Sequence, residues 1–102
     1  MDFFALGKAM GVSASEAGSL FKFFNPGMTL QWRLDRVLAE KFAEPSWELE
    51  MARKDARLMI EETARGGGSL AVLPSIAQLM DKYIERGHSK DDWTVIAKDS
   101  LR

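Results

Sequence analysis

Lys54 has the most chemically suggestive neighbours in this chain. At about 100° per residue of helix, Trp47, Met51 and Leu58 fall on the same side as Lys54. An ammonium among an indole, a thioether and a branched alkyl group makes a ligand-facing surface. The plainer account is a solvated lysine whose stem covers Leu58 and Trp47. Asp55 follows Lys54 directly and supplies a carboxylate beside it. The opposite side carries Leu49, Ala52, Ala56, Met59, Ile60 and Thr63, the expected core face. A surface helix needs one apolar face. Two such faces mark either a central helix or one whose second side meets a partner or ligand.

The other polar residues offer less. Gly66-Gly67-Gly68-Ser69 follows a helix rather than a strand and has the spacing of neither nucleotide fingerprint, so it reads as a helix stop. Glu61-Glu62 and Asp91-Asp92 are adjacent acids that point different ways and read as solvated faces. Ser13, Ser46 and Ser89 sit where helices need caps, and none lies in a nucleophile-elbow sequence. His88 follows a helix-ending glycine, where a cation complements free carbonyls. The chain has one histidine and no cysteine, which excludes disulfides, thiolate metal sites and a histidine-rich metal centre. We therefore expect no bound metal and no self-sufficient active site. The lack of cysteine fits a reducing compartment. A formal net charge of −1 gives no footprint for nucleic acid, and no helix carries the basic stripe of a helix-turn-helix DNA binder. No apolar run approaches the roughly 20 residues of a membrane span. The first residues lack the basic region of a signal peptide. A cytoplasmic location is expected.

At 102 residues the chain is long enough for one compact domain. Its patterning predicts an all-α fold of five to six helices. The first runs from Asp2 to Met10, with Asp2 able to cap it, and ends at Gly11. Ser13 and Glu16 form a capping box for a second helix presenting Ala17, Leu20, Phe21 and Phe24 inward. Asn25-Pro26-Gly27 is a turn. Thr29 can cap a third helix with Leu30, Leu34, Val37, Leu38 and Phe42 inward. Pro45 and Ser46 then open the long helix, which runs to Arg65. Pro74 suits the first turn of the next helix, whose apolar stripe is Ile76, Leu79, Met80, Tyr83 and Ile84 and whose end is Gly87. Ser89 to Asp92 cap a last helix with Trp93, Ile96, Ala97 and Leu101 inward.

Three stretches in this order resemble the C-terminal helical domain of the β-hydroxyacid dehydrogenases, the family of 3-hydroxyisobutyrate dehydrogenase, tartronate semialdehyde reductase and the 6-phosphogluconate dehydrogenase-like enzymes. Leu6 to Val12 is similar to the end of that domain's first long helix and its glycine corner. Trp47 to Met59 is similar to the segment where an aromatic residue precedes a Lys-Asp pair by two turns, here Trp47, Lys54 and Asp55. Gly87 to Trp93 resembles the late motif of a glycine, a ring residue, a small polar residue, an acid and an aromatic.

The resemblance spans nearly the whole chain and implies a set of expectations. Residues 1–102 are one helical domain, the C-terminal part of a two-domain oxidoreductase whose Rossmann domain is absent here. The parent would use NAD or NADP on a small 3-hydroxy acid or a 6-phosphogluconate-like substrate. Lys54 would contact the cofactor, while Trp47 and Asp55 would belong to the substrate pocket, Trp47 as a wall and Asp55 orienting Lys54 or a neighbouring stretch of backbone. The family's catalytic lysine and asparagine lie earlier in the first helix. Lys8 is too close to that helix's end to be this lysine, and Val12 stands where an amide is needed. The chain alone is then expected to bind no cofactor and to be inactive. The helical domain is also expected to join copies into a homo-oligomer. A different class of function, a stand-alone helical module that grips another protein through Trp47, Met51 and Leu58, is the alternative.

Overall fold

A computed structural model describes residues 1–102. It contains no strand. Five α-helices, α1 (Asp2–Ala9), α2 (Ala14–Ser19), α3 (Leu30–Leu38), α4 (Leu49–Arg65) and α5 (Leu73–Glu85), are followed by a 3₁₀ helix, Trp93–Ser100. Short 3₁₀ turns at Leu20–Lys22 and Pro26–Thr29 link α2 to α3. No helix is long and apolar enough to cross a membrane.

The central helix is α4, which packs against α1, α5 and the C-terminal 3₁₀ helix. Leu49, Ala52, Ala56 and Thr63 are buried along its predicted core face, while Ile60 is half-buried and Met59 is exposed. Phe42, Leu49, Ala52, Met80, Tyr83 and Val95 form the core. Arg53 on α4 grips Asp81 on α5 through two hydrogen bonds, 2.7 and 3.2 Å, and fixes their register.

Ser46 does not cap α4. The helix begins at Leu49, and its N-cap, Glu48, makes no side-chain capping bond. The first free N–H groups are met from elsewhere: Leu49 N donates to Asp91 O at 2.8 Å and Glu50 N to Ser89 O at 3.0 Å. With backbone carbonyls doing the capping, no side chain is needed there. The chain around Phe42 to Glu50 thus runs antiparallel to the turn at Ser89 to Trp93. Asp92 N to Phe42 O and Trp93 N to Trp47 O, both 2.8 Å, complete the seam.

At the other end α4 meets α1. Gly66 lies against Ala9 so closely that a Cβ there would sit 2.1 Å from the Ala9 carbonyl oxygen. Gly67 then takes a φ of +80°, which glycine adopts at no steric cost. The glycine run is therefore both stop and docking point. Asp2 does not cap its own helix, whose cap residue is Met1. Its carboxylate instead accepts from the N–H groups of Ala71 (2.8 Å), Val72 (3.0 Å) and Leu73 (2.7 Å), at the start of α5. Those bonds, Leu73's first, hold its pKa below the usual value.

The N-terminal helices depart most from the sequence pattern. The Ser13–Glu16 capping box forms, with Glu16 N donating to Ser13 Oγ at 3.1 Å and Ser13 N to Glu16 at 3.0 Å. Thr29 occupies the cap position of α3 but makes no side-chain bond. Leu20, Phe21, Phe24, Leu30, Leu34 and Leu38, all expected inward, are exposed. No residue before Phe42 is buried. The apolar stripes exist but stay largely uncovered, because α2 packs on α1 and α3 on the C-terminal 3₁₀ helix rather than on the α4–α5 core. The radius of gyration, 15.1 Å, exceeds the roughly 13 Å of a compact 100-residue domain for the same reason. At the C-terminus the last helix is 3₁₀ rather than α. Its tighter winding buries Thr94 and Val95 and leaves Trp93, Ile96, Ala97 and Leu101 half-buried.

Candidate functional site

The seam between Trp47 and Trp93 fixes one end of the site. Asp92 holds it together, buried to 2 % exposure. Its Oδ1 accepts from Ser46 N (2.8 Å), Ser46 Oγ (2.9 Å) and Trp47 N (3.3 Å). Its Oδ2 accepts from Thr94 N at 3.1 Å and from the Thr94 hydroxyl. Burial pushes the carboxyl pKa up, but the bonds from Thr94 and Ser46 outweigh it and bring the pKa from 3.8 down to about 2. Asp92 is therefore a structural anion and not part of a solvated acidic face. Its neighbour Asp91 pairs with His88, Oδ2 to Nδ1 at 2.7 Å. The His88 ring thus serves the turn rather than the end of α5.

This geometry sets Trp47. The residue precedes α4, so the seam, not helical phase, positions it. Its ring meets Trp93 edge-on, with centroids 6.2 Å apart and planes at 65°. It remains 41 % exposed, and Met51 and Leu58 are similarly open. The second apolar side read from the sequence is therefore an open surface.

Lys54 lies on that open side of α4. Its ammonium has no hydrogen-bond acceptor in the chain. The nearest opposite charge is Asp55 Oδ1 at 3.8 Å, a loose ion pair between half-open side chains. Asp55 is thus in reach to bias the lysine without neutralising it by contact. Lys54 and Asp55 are half-open neighbours on α4, and Trp47 is exposed in the segment that leads into it, with the Lys54 ammonium free to take an anionic or carbonyl oxygen. A different apolar depression, about 640 Å³, lies between α1, α4 and the start of α5, lined by Phe3, Leu6, Met59 and Ile76 among others. Spacing along α4 gave no sign of it, because its walls come from three separated segments.

The sequence analysis also missed a cluster around Arg33. All three tryptophans gather with two arginines on the seam side. The Arg33 guanidinium carbon lies 5.3 Å from the Trp93 ring centre and 5.7 Å from that of Trp32, and Arg36 stacks on Trp32 at 5.0 Å. Residues 32, 47 and 93 share no local spacing that could have announced this.

No protein-family model and no curated protein matches the sequence. Among solved structures the chain is similar to an imine reductase from Myxococcus stipitatus, a V8 variant in complex with NAD+. The match has a TM-score of 0.80 at 17% sequence identity and covers 93% of this chain. It covers 34% of the reductase, so the chain spans about a third of that protein's length. The all-helical fold is that of the C-terminal domain of an NAD-dependent reductase.

Proposed function

We propose that this chain is the C-terminal helical domain of a nicotinamide-dependent oxidoreductase, and that the open side of α4 forms one wall of its cofactor cleft. The observation that carries this reading is Lys54: an ammonium without a hydrogen-bond acceptor, loosely paired with Asp55, on a helix that also exposes Met51 and Leu58, with Trp47 exposed in its lead-in. A surface that offers one loosely paired cation among apolar groups fits a nicotinamide with its amide and neighbouring phosphates. The fold match to a reductase in complex with NAD+ favours the same chemistry. The coverage of about a third supports a partner Rossmann domain in the whole protein.

When bound, the cofactor would take the hydride from a hydroxy acid as NAD or NADP, or return it to the oxo acid as NADH or NADPH. Lys54 binds and orients its nicotinamide end, Asp55 restrains the lysine's swing, and Trp47 excludes water from that side of the cleft. The seam held by Asp92 keeps Trp47 in place. The substrate in our reading is a small 3-hydroxy acid or a related 6-phosphogluconate-like compound. A C=N substrate, the kind an imine reductase takes, changes the reacting carbon's partner and not the role of these residues. The protein acts in the cytoplasm in this account, in keeping with a chain that has no cysteine.

We also propose that the helical domain joins copies into an oligomer. Phe23, Met28 and Leu30 are 91 %, 82 % and 68 % exposed, within a region where no residue is buried. Exposed apolar surface of this extent finds a partner, and a second copy is always present. The same exposure is what a stand-alone interaction module would show, and that remains the competing reading. Assay of the purified product of the whole natural reading frame with NADH and NADPH, against panels of 3-oxo acids and imines, separates them. Cofactor oxidation by that product, with none by residues 1–102 alone, supports the oxidoreductase. No oxidation with any member of either panel favours the interaction module.

A further inference from the structure

We infer that the apolar depression between α1, α4 and the start of α5 is a binding site for an uncharged, hydrocarbon-rich small molecule. The site needs neither Lys54 nor a nicotinamide cofactor. Phe3 and Leu6 of α1, Met59 of α4, and Val72, Leu73 and Ile76 at the start of α5 line about 640 Å³ of space. Eight of its nine lining residues are apolar, so nearly every contact inside it is with carbon or sulfur. Phe3, Met59 and Val72 are 38 %, 42 % and 52 % exposed, so the space opens to solvent and a ligand can enter without unfolding the chain. Two smaller depressions, about 360 and 240 Å³, are lined mostly by charged side chains and share no residue with it.

The polar groups around this space decide what it can hold. Asp2 is the one polar residue of the lining, and both its oxygens are engaged by the N–H groups of Ala71, Val72 and Leu73. The start of α5 offers no further donor. Pro74 has no N–H, and the N–H groups of Ser75 and Ile76 donate to the Val72 carbonyl at 3.1 and 3.3 Å. A helix N-terminus attracts anions through free N–H groups, and here the chain's own carboxylate already fills that role. A ligand anion would meet Asp2 with no donor to offset the repulsion. An extended peptide would bring backbone N–H and C=O groups that these walls cannot match. An α-helix with its side chains is about 10–12 Å across, whereas about 640 Å³ is a cube roughly 9 Å on edge. A small uncharged molecule fits, held by burial of its carbon surface, and the volume is within the ordinary range for such sites. An apolar cavity of about 150 Å³ takes benzene, so this space suits about two or three rings or a hydrocarbon chain of similar bulk. The flexible thioether of Met59 lets the wall adapt to either shape.

The test is nuclear magnetic resonance of the methionine methyl groups of the 102-residue chain, with the Met59 signal assigned by Met59→Leu. Three probes share one apolar body and differ in charge: 4-phenylbutanol, 4-phenylbutanoate and 4-phenylbutylammonium. The site predicts a saturable shift of the Met59 methyl with the alcohol and weaker saturation with both ions. Val72→Trp, at a half-open position on the rim, puts an indole into the space and should weaken binding of the alcohol at least about tenfold. If Val72→Trp fails to fold, Met59→Trp, followed through the Met1 methyl that also lines the space, serves in its place with the same expected direction. A shift that is linear in the alcohol, or that survives both tryptophan variants, overturns the site. Either ion saturating at lower concentration than the alcohol overturns the choice of an uncharged ligand. A Met59 signal that moves with protein concentration in probe-free buffer assigns the space to a second copy and overturns a small-molecule site.

Discussion

Replacing Asp92 by asparagine removes the charge from the seam that positions Trp47 and Trp93 while keeping the side chain's shape. The asparagine carbonyl can still accept from Ser46 and Trp47. Its amide nitrogen then faces the Thr94 N–H, donor against donor, at a buried residue. An unmade buried hydrogen bond costs about 1–3 kcal/mol. The lowered pKa gives a second, independent figure. A shift from 3.8 to about 2 corresponds to about 2.5 kcal/mol of stability at neutral pH. Asp92→Asn should therefore cost about 2–4 kcal/mol at pH 7. The sign with pH follows from a folded pKa below the unfolded one: the contribution is complete above about pH 4 and fades as pH falls toward 2. The gap between wild type and variant should thus narrow by about 2 kcal/mol between pH 6 and pH 2. Urea unfolding followed by tryptophan fluorescence reads this directly, since two of the three tryptophans border the seam. Comparing the two proteins at each pH cancels the other carboxyls with lowered pKa values, Asp2, Glu16 and Asp99. A gap that stays constant with pH, or that is below about 1 kcal/mol at pH 7, would refute the assignment of Asp92 as a buried structural anion.

Leu49→Ala, at a fully buried side chain, should cost about 3–4 kcal/mol. Ile60→Ala, at a half-buried one, should cost about 1–2 kcal/mol, and equal losses in chemical denaturation would mean the core face of α4 is misread. Gly66→Ala should cost about 2 kcal/mol or more, because the new methyl meets the Ala9 backbone, which cannot swing aside. Hydrogen exchange should then speed up in α1 while α5 keeps its protection, and unchanged exchange in α1 would contradict the close docking. Sedimentation of residues 1–102 over a range of concentrations should show self-association, and a sharp monomer at high micromolar concentration would mean that the exposed stripes of α2 and α3 have no such use.

What could be read from the sequence was local. The Ser13–Glu16 box spans three residues and forms as expected. The two sides of α4 follow from helical period, so the burial of Leu49, Ala52 and Ala56 and the exposure of Met51 and Leu58 were both legible. Burial of the first helices was not. Periodicity shows which side of a helix is apolar, not what covers it, and Leu30, Leu34 and Leu38 have no cover within the chain. Ser46 had a capping residue's type but gave its hydroxyl to Asp92, 46 positions away. Asp2 likewise serves α5 rather than α1, across a separation of 69 to 71 residues. At the candidate site, Lys54 could be placed from spacing alone, whereas Trp47 needed the seam and Arg33 needed the approach of Trp93. Long-range pairings of this kind leave no periodic trace.

The most direct test of the central proposal is steady-state kinetics of Lys54→Met in the product of the whole reading frame, with a melting temperature measured alongside. Lys54 is exposed and makes no contact that holds the fold, so the melting temperature should stay within a few degrees of wild type. If its ammonium binds the cofactor, the KM for NADH or NADPH should rise about tenfold, or kcat should fall by as much, the scale of one lost charge-assisted hydrogen bond. Unchanged kinetics for the cofactor at an unchanged melting temperature would contradict the account and leave Lys54 a solvated lysine.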